Sequence, residues 1–399
     1  MSDTTKELIT DGAPNPVPQT PYYIVYEDKL RCNLATLKDV SERSGVKIIM
    51  AFKANALWKT FPIIKEYFTA STASSLNEMK LSLEYLGEDV HAYCPVYTEE
   101  TFPEFLHGCT HITFNSVAQF EKFYPRIREY NADLPEGEKR ISAGLRINPR
   151  CSVIETDIYN PCIPGSRFGV DAENLKELPE GVEGLHFHAL CESSSYDLEK
   201  VLDALEAQFG SFLDTVKWLN MGGGHLITRE GYDKEHFIKL IAGLRERHPN
   251  LEIIIEPGSA FTWQTGDLIT KVLDVVENAG IKTGIIDASF ACHMPDCLEM
   301  PYRPAIGEAL PDDAEGEDVK VYRLGGNSCL SGDYVGDWKF DGDLKAGDIL
   351  TLKDMNHYTT VKTNMFNGIQ HPSIWLQDSN GEKHLLREYT YDDYRRRMD

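Results

Sequence analysis

Several short stretches of this chain carry residue types suited to covalent and acid–base chemistry on a small molecule. Lys53 stands in Met50-Ala51-Phe52-Lys53-Ala54-Asn55, at the end of an apolar β-like run. A lysine there is partly desolvated, which lowers its pKa and frees its amine for Schiff-base chemistry. Taken alone it would be an ordinary surface lysine just beyond a strand. Gly222, Gly223 and Gly224 follow the run Val216–Met221. Glycines let backbone N–H groups approach an anion closely, and a phosphate fits such a turn. A tight turn into a helix would look the same. His188, in Leu185-His186-Phe187-His188, could stack on a planar ring, and His186 shares its strand face by period two. Glu256, before Pro257-Gly258, could hydrogen-bond a protonated ring nitrogen.

Each of these residues ends a β-like run, and the order of the runs decides whether they meet. After Tyr22–Tyr26, runs begin near Val46, Phe68, His91, His111, Ile141, Val182, Val216 and Leu251. That makes about eight, most of them rich in β-branched or aromatic residues. Helical stripes lie between them: Leu198, Val201, Leu202, Leu205 and Phe209, then Phe237, Leu240, Ile241 and Leu244. The alternation predicts an α/β protein with a parallel (β/α)8 TIM-like barrel. Strand counting separates this only weakly from a doubly wound open sheet. In a barrel the strand C-termini share one rim. Lys53 on the first strand, His188 on the sixth, the glycines on the seventh and Glu256 on the eighth would then meet. Amine, ring stacker, phosphate nest and ring-nitrogen acid together suit pyridoxal 5'-phosphate.

Beyond Gly258 the pattern changes to short β-like runs separated by turn residues, with a helix only at Tyr391–Arg397. The expected organisation is a barrel over 30–260 and a C-terminal mainly β, β-barrel-like domain over 261–399, joined by an N-terminal strand at 21–29. The residues through Thr20 read as a loose arm.

The 399 residues are 42% hydrophobic and 26% charged, which excludes a disordered chain. The net charge is -23, with 40 Lys+Arg against 63 Asp+Glu. Such a surface repels phosphate backbones, so nucleic acid is not an expected partner; the charge could attract a cationic small molecule or serve only solubility. No apolar run is long enough to cross a bilayer, and the N-terminal residues lack a secretory pattern. Nine scattered cysteines without a CxxC pair suit a reducing cytoplasm. Cys292, His293 and Cys297 are close together but lack paired zinc-ligand spacing, so no metal is expected.

The ordered set of motifs resembles the fold-type III pyridoxal-phosphate decarboxylases, the family of ornithine and diaminopimelate decarboxylases. The resemblance runs from about Tyr22 to Gly368 and is carried by Lys53-Ala54-Asn55, His188, Gly222 to Gly224 and Glu256-Pro257-Gly258. It continues in Gly326-Asn327-Ser328-Cys329-Leu330-Ser331-Gly332-Asp333, Tyr358-Thr359 and Phe366-Asn367-Gly368. Within the family the chain is most similar to the carboxynorspermidine and carboxyspermidine decarboxylase branch. That likeness rests on Phe187–Glu192, Cys292–Asp296, Glu299–Pro304 and Ser328–Asp333. Two departures from the diaminopimelate and ornithine enzymes agree with it. Leu330 replaces the acid after the cysteine, and Ser259 replaces a phosphate-binding arginine.

The resemblance implies that Lys53 holds pyridoxal phosphate, Glu256 keeps its ring nitrogen protonated, and Cys329 returns a proton to the α-carbon. It implies phosphate contacts from backbone N–H groups, hydroxyls and Tyr358. It implies a homodimer in which the cysteine segment enters the partner's site. The substrate would be a polycationic amino acid whose tail needs acids. Asp333 is the first candidate because it closes the cysteine motif, followed by Asp296 and Glu299. Arg303 would either orient the substrate carboxylate or pair with Glu299. Diaminopimelate decarboxylation is the nearest alternative. An alanine racemase would need an arginine in place of Glu256. A non-catalytic cofactor carrier would lack the β domain, and a pseudo-enzyme would be expected to lose Lys53 or Cys329.

Overall fold

The computed structural model describes residues 17–399 and contains two compact units. One comprises the N-terminal stretch to Arg31 together with Thr262–Asp399; the other is Cys32–Phe261. The loose arm expected through Thr20 lies, up to Pro16, outside the described residues. The described chain opens with strand β1 (Tyr22–Tyr26) and the helix Glu27–Ser44, whose Leu30, Leu34, Leu37 and Val40 form a buried stripe at helical spacing.

Cys32–Phe261 is the barrel. Its strands are β2 (Lys47–Ile48), β3 (Met50–Ala51), β4 (Ala70–Ala73), β5 (Asp89–Tyr93), β6 (His111–Phe114), β7 (Ser142–Arg146), β8 (Gly184–His186), β9 (Trp218–Asn220) and β10 (Glu252–Ile255). All neighbours are parallel, in the order β2-β10-β9-β8-β7-β6-β5-β4-β3. β2 and β3 are two pieces of one apolar run, broken at Ile49. β2 pairs with β10 and β3 with β4, so this run closes the sheet on itself. The doubly wound alternative is thereby excluded. Ile48 to Phe52 are all buried, as a strand covered on both faces requires.

The helices between strands start where short polar side chains satisfy free N–H groups. Ser75 accepts from the Glu78 amide, Ser116 from Gln119, and Ser194 forms a reciprocal capping box with Asp197. On the helix Ser195–Leu213, the predicted stripe Leu198, Val201, Leu202, Leu205 and Phe209 is buried throughout.

The other unit is mainly β. Its strands are β1, β11 (Gly266–Asn278), β12 (Ile281–Ile286), β13 (Val319–Gly325), β14 (Tyr334–Asp341), β15 (Ile349–Leu352), β16 (Ser373–Gln377) and β17 (Lys383–Arg387). The sheet order is β14-β13-β12-β11-β1-β16-β17, with β15 also on β11. Isolated bridges Ile306–Leu352 and Leu310–Lys339 link β15 to β14 and complete a barrel-like circuit. β1 lies parallel to β16 and antiparallel to β11, and Tyr22, Ile24 and Trp375 pack together across it. Among the described residues no helix is long and apolar enough to cross a membrane.

Candidate active site

The barrel brings its strand-end residues to one rim. Lys53 follows β3 in a turn where the Ala54 N–H donates to the Ala51 carbonyl. It is half-buried, and among the described residues its amine has no hydrogen-bond partner. Burial lowers its pKa below the usual lysine range, opposed by the pull of Glu256 and helped by the charge of Arg146. Glu256 follows β10 and is buried. Its Oε1 accepts from Asn220 Nδ2 at 2.7 Å, and its Oε2 lies 3.7 Å from His186 Nε2. Burial would raise this carboxyl. The facing imidazole, the Asn220 amide and Lys53 outweigh burial and hold it below the carboxylate range.

His188 stands just past β8. Its Nδ1 accepts from the Gly223 N–H at 2.9 Å, so the ring proton sits on Nε2. Burial and the nearby charges of Lys53 and Arg146 keep the ring neutral. The glycine turn is pressed against this histidine. A Cβ on Gly222 would lie 2.5 Å from the Phe187 carbonyl and 2.7 Å from His188 Nδ1; one on Gly224 would lie 2.2 Å from the Leu190 carbonyl. Both residues also have positive φ, so only glycine fits.

The amides of the glycine turn are not all available to an anion. The Gly222 N–H donates to Asn220 Oδ1 at 2.9 Å and the Gly223 N–H to His188. Of the three, only the Gly224 N–H lacks a partner among the described residues. The glycines therefore lock His188 and Asn220 and leave one amide for an anion.

Three further residues converge here that sequence reasoning missed. Arg146 ends β7, is buried, lies over the rings of Tyr93 at 4.7 Å and Phe168 at 4.5 Å, and donates to the His188 carbonyl at 3.4 Å. A charged residue closing an apolar run was its only signal. Glu78 lies in the first turn of the helix Leu76–Tyr85 and accepts from the Ser74 N–H at 2.6 Å. Burial raises its carboxyl, while the Ser74 contact and Lys53 act against that. Its Ser75-x-x-Glu78 spacing signals a helix start rather than a site. Asn220, the last residue of β9, had no signal of its own.

The remaining predicted residues belong to the mainly β unit. Cys329 is exposed, and its N–H donates to Asn367 Oδ1 at 2.7 Å. Leu330 beside it is also exposed. Asp333 is buried with its acceptors engaged. Oδ2 takes Ser289 Oγ at 2.8 Å, Ser328 Oγ at 2.6 Å and the Ser328 N–H at 3.2 Å, while Oδ1 takes the Ala291 N–H at 2.8 Å. It braces the cysteine loop instead of presenting a free acid. Asp296 is also buried. Its Oδ2 accepts from Tyr302 at 2.7 Å and Thr359 at 3.1 Å, but its Oδ1 has no partner among the described residues. Glu299 pairs with Lys362. Arg303 does not pair with Glu299 as considered above; it reaches the Asp312 carboxylate and the Asp337 carbonyl. Tyr358 is half-buried with φ of 51° and precedes the short helix Thr359–Lys362. Cys292 donates to the Phe366 carbonyl, and His293 Nδ1 accepts from the Ser289 N–H.

The family described as pyridoxal-dependent decarboxylase, C-terminal sheet domain, matches residues 23–356. The carboxyaminopropylagmatine decarboxylase of Synechocystis is 42% identical over 95% of this chain and 95% of its own length. The carboxynorspermidine/carboxyspermidine decarboxylase of Campylobacter jejuni is 39% identical over 94% of this chain and 97% of its own. A diaminopimelate decarboxylase of Bacteroides thetaiotaomicron is 24% identical over 90% and 96%. The crystal structure of the Campylobacter jejuni carboxynorspermidine decarboxylase with norspermidine superimposes with a TM-score of 0.85. It has 38% identity and covers 95% of this chain and 100% of that one.

Proposed function

The chain belongs to the pyridoxal-dependent decarboxylases, and from that premise we propose that it decarboxylates carboxynorspermidine, carboxyspermidine or both, releasing norspermidine or spermidine. One observation carries the reading: a half-buried Lys53, without a hydrogen-bond partner among the described residues, lies within electrostatic reach of a buried, ionised Glu256. That pair offers an amine for an aldehyde and a carboxylate for a protonated ring.

Pyridoxal phosphate, when bound, supplies an electron sink for the pair left when the bond from the α-carbon to its carboxylate breaks. The surrounding residues fit it. Lys53 would hold it through Nζ. Glu256 would keep its ring nitrogen protonated through Oε2, since Oε1 is taken by Asn220. The neutral His188 ring, pinned by Gly223, would stack on it. The Gly224 N–H and the hydroxyl of Ser259 would receive the phosphate.

Cys329 Sγ would return one proton to the α-carbon after carbon dioxide leaves, becoming a thiolate that water reprotonates. Its exposure supports delivery into a second copy's site, hence a homodimer with two shared sites. Cys329→Ala should slow correct turnover by about 10²-fold, the lower range for a general acid, and raise the misprotonated product. Wild-type rate and product ratio would remove it from this role. Its nine free cysteines support a reducing compartment, the cytoplasm.

For the cationic tail, Asp296 replaces Asp333 as the first candidate. A buried carboxylate oxygen without a donor costs about 1–3 kcal/mol, and an ammonium group would relieve it. The single free oxygen suits an ammonium better than a guanidinium, which binds carboxylates through two parallel bonds. The relative at 42% identity supports the guanidino substrate carboxyaminopropylagmatine as a second reading. The test is mass-spectrometric product analysis with pyridoxal phosphate and four substrates: carboxynorspermidine, carboxyspermidine, carboxyaminopropylagmatine and meso-diaminopimelate. Turnover of the first two is expected. Exclusive turnover of the third would establish the second reading, and lysine from the fourth would overturn both.

A further inference from the structure

Asn220 is buried at the end of β9, between the glycine turn and Glu256. Its Oδ1 accepts from the Gly222 N–H at 2.9 Å and its Nδ2 donates to Glu256 Oε1 at 2.7 Å. The amide can stand only one way round. Reversed, it would set an oxygen against a carboxylate and an NH2 against an N–H. The main chain repeats the link, since the Glu256 N–H donates to the Gly222 carbonyl at 2.8 Å.

We propose that Asn220 is a positioning residue that ties the ring-nitrogen acid to the phosphate turn, so that the two ends of the cofactor are gripped as one unit. This rests on the functional reading of Glu256 and the glycine turn given above. An aspartate of the same size could still accept from Gly222. It could not donate to Glu256 and would set a second carboxylate against the first, making the pair share a proton.

The test compares dissociation constants of pyridoxal phosphate and of pyridoxal, which lacks the phosphate, in the wild type, Asn220→Ala and Asn220→Asp. Binding is read from the visible absorption of the lysine adduct between pH 6 and 8. In the wild type the phosphate should improve affinity by a factor that Asn220→Ala cuts about 10- to 100-fold, the range of one hydrogen bond to a charged group. Asn220→Asp should gain a titration of the bound absorption band in that pH range that the wild type lacks. It also keeps the inference testable should Asn220→Ala fail to fold. Equal losses for both ligands in Asn220→Ala, or an unchanged pH profile in Asn220→Asp, would overturn the coupling. A wild type that binds neither ligand would overturn the functional reading, and this inference with it.

Discussion

Lys47 and Lys53 stand at opposite ends of one short stretch of the barrel wall. Lys47 opens β2 on the barrel floor. Its Nζ lies 2.9 Å from Asp89 Oδ2 and 3.1 Å from His91 Nε2. Asp89 Oδ1 accepts from Thr110 Oγ1 at 2.6 Å, and His91 stacks on His111 with ring centroids 3.8 Å apart. The floor lysine is thus neutralised by its neighbours. Lys53, at the rim, has no such partner and is pushed toward its neutral form. The same residue type becomes a brace at one end and a nucleophile at the other. The difference is whether the surrounding acids and imidazoles point at the amine or past it. Barrels divide this way in general, with stability at the N-terminal strand ends and chemistry at the C-terminal ends.

The sharpest way to break this contrast is to truncate each lysine. Lys53→Ala should reduce turnover by more than ~10³-fold, because both the covalent anchor and its acid–base role disappear. Lys47→Ala should leave kcat near the wild-type value. It should lower stability by about 1–3 kcal/mol, the cost of leaving the buried His91 ring nitrogen and the half-buried Asp89 without their donor, as read by chemical denaturation. Equal loss of activity in both would erase the distinction.

Glu256→Gln comes next. Its amide oxygen can still accept from Asn220, so geometry survives while charge is removed. Turnover should fall by about 10²–10³-fold, as when a fixed electrostatic stabiliser is lost, with the melting temperature nearly unchanged. A large drop in melting temperature instead would make Glu256 a structural group like Asp89.

The floor should also be sensitive to acid. Burial holds His91 and His111 neutral, His111 at about 2. Unfolding returns them to about 6.5, so the unfolded chain binds more protons in the interval. Stability is then complete above about pH 6.5 and falls as the pH drops. Asp89 acts with the same sign lower down. Burial would raise it, but His91, Thr110 and Lys47 hold it below the carboxylate range, so its contribution is full above about pH 3.9 and declines progressively as the pH falls below that. His186 and His188 at the rim share the sign of the floor pair. Replacing His111 by Phe isolates the floor's share and should flatten the fall of melting temperature between pH 6.5 and 4.5. The smallest expected effect is Thr110→Val, which removes one hydrogen bond to Asp89 and should cost about 1 kcal/mol.

Much of the architecture can be read from period alone. The eight wall positions follow from apolar runs alternating with helical stripes, although no local pattern announces the break at Ile49. β14 carries a weak sequence signal because Gly336 and Asp337 interrupt it, and its buried Trp338 and Phe340 alternate only in the second half. β17 is a short edge strand, Lys383–Arg387, whose polar ends hide it. In the site, Lys53, His188, Gly222 to Gly224 and Glu256 were visible because each closes a β-like run. Asn220, Arg146 and Glu78 are ordinary residue types for their places, and only their partners in space distinguish them. The ranking of Asp333 over Asp296 rests on its place as the last acid of the cysteine motif that carries the family resemblance. Which carboxylate keeps a free oxygen depends on hydrogen bonds from Ser289, Ala291, Tyr302 and Thr359, and no spacing rule reports those.

The pairing of β1 has a bearing on how the molecule is made. Tyr22–Tyr26 is translated well before its parallel partner β16, yet it lies between β11 and β16. The barrel strands all emerge in between and can close beforehand. During that interval an apolar strand waits with both edges open, a template for pairing with the wrong chain. Moving the strand to follow the C-terminus in a circular permutant would shorten the wait, and the yield of soluble protein at high expression would report how much that interval matters.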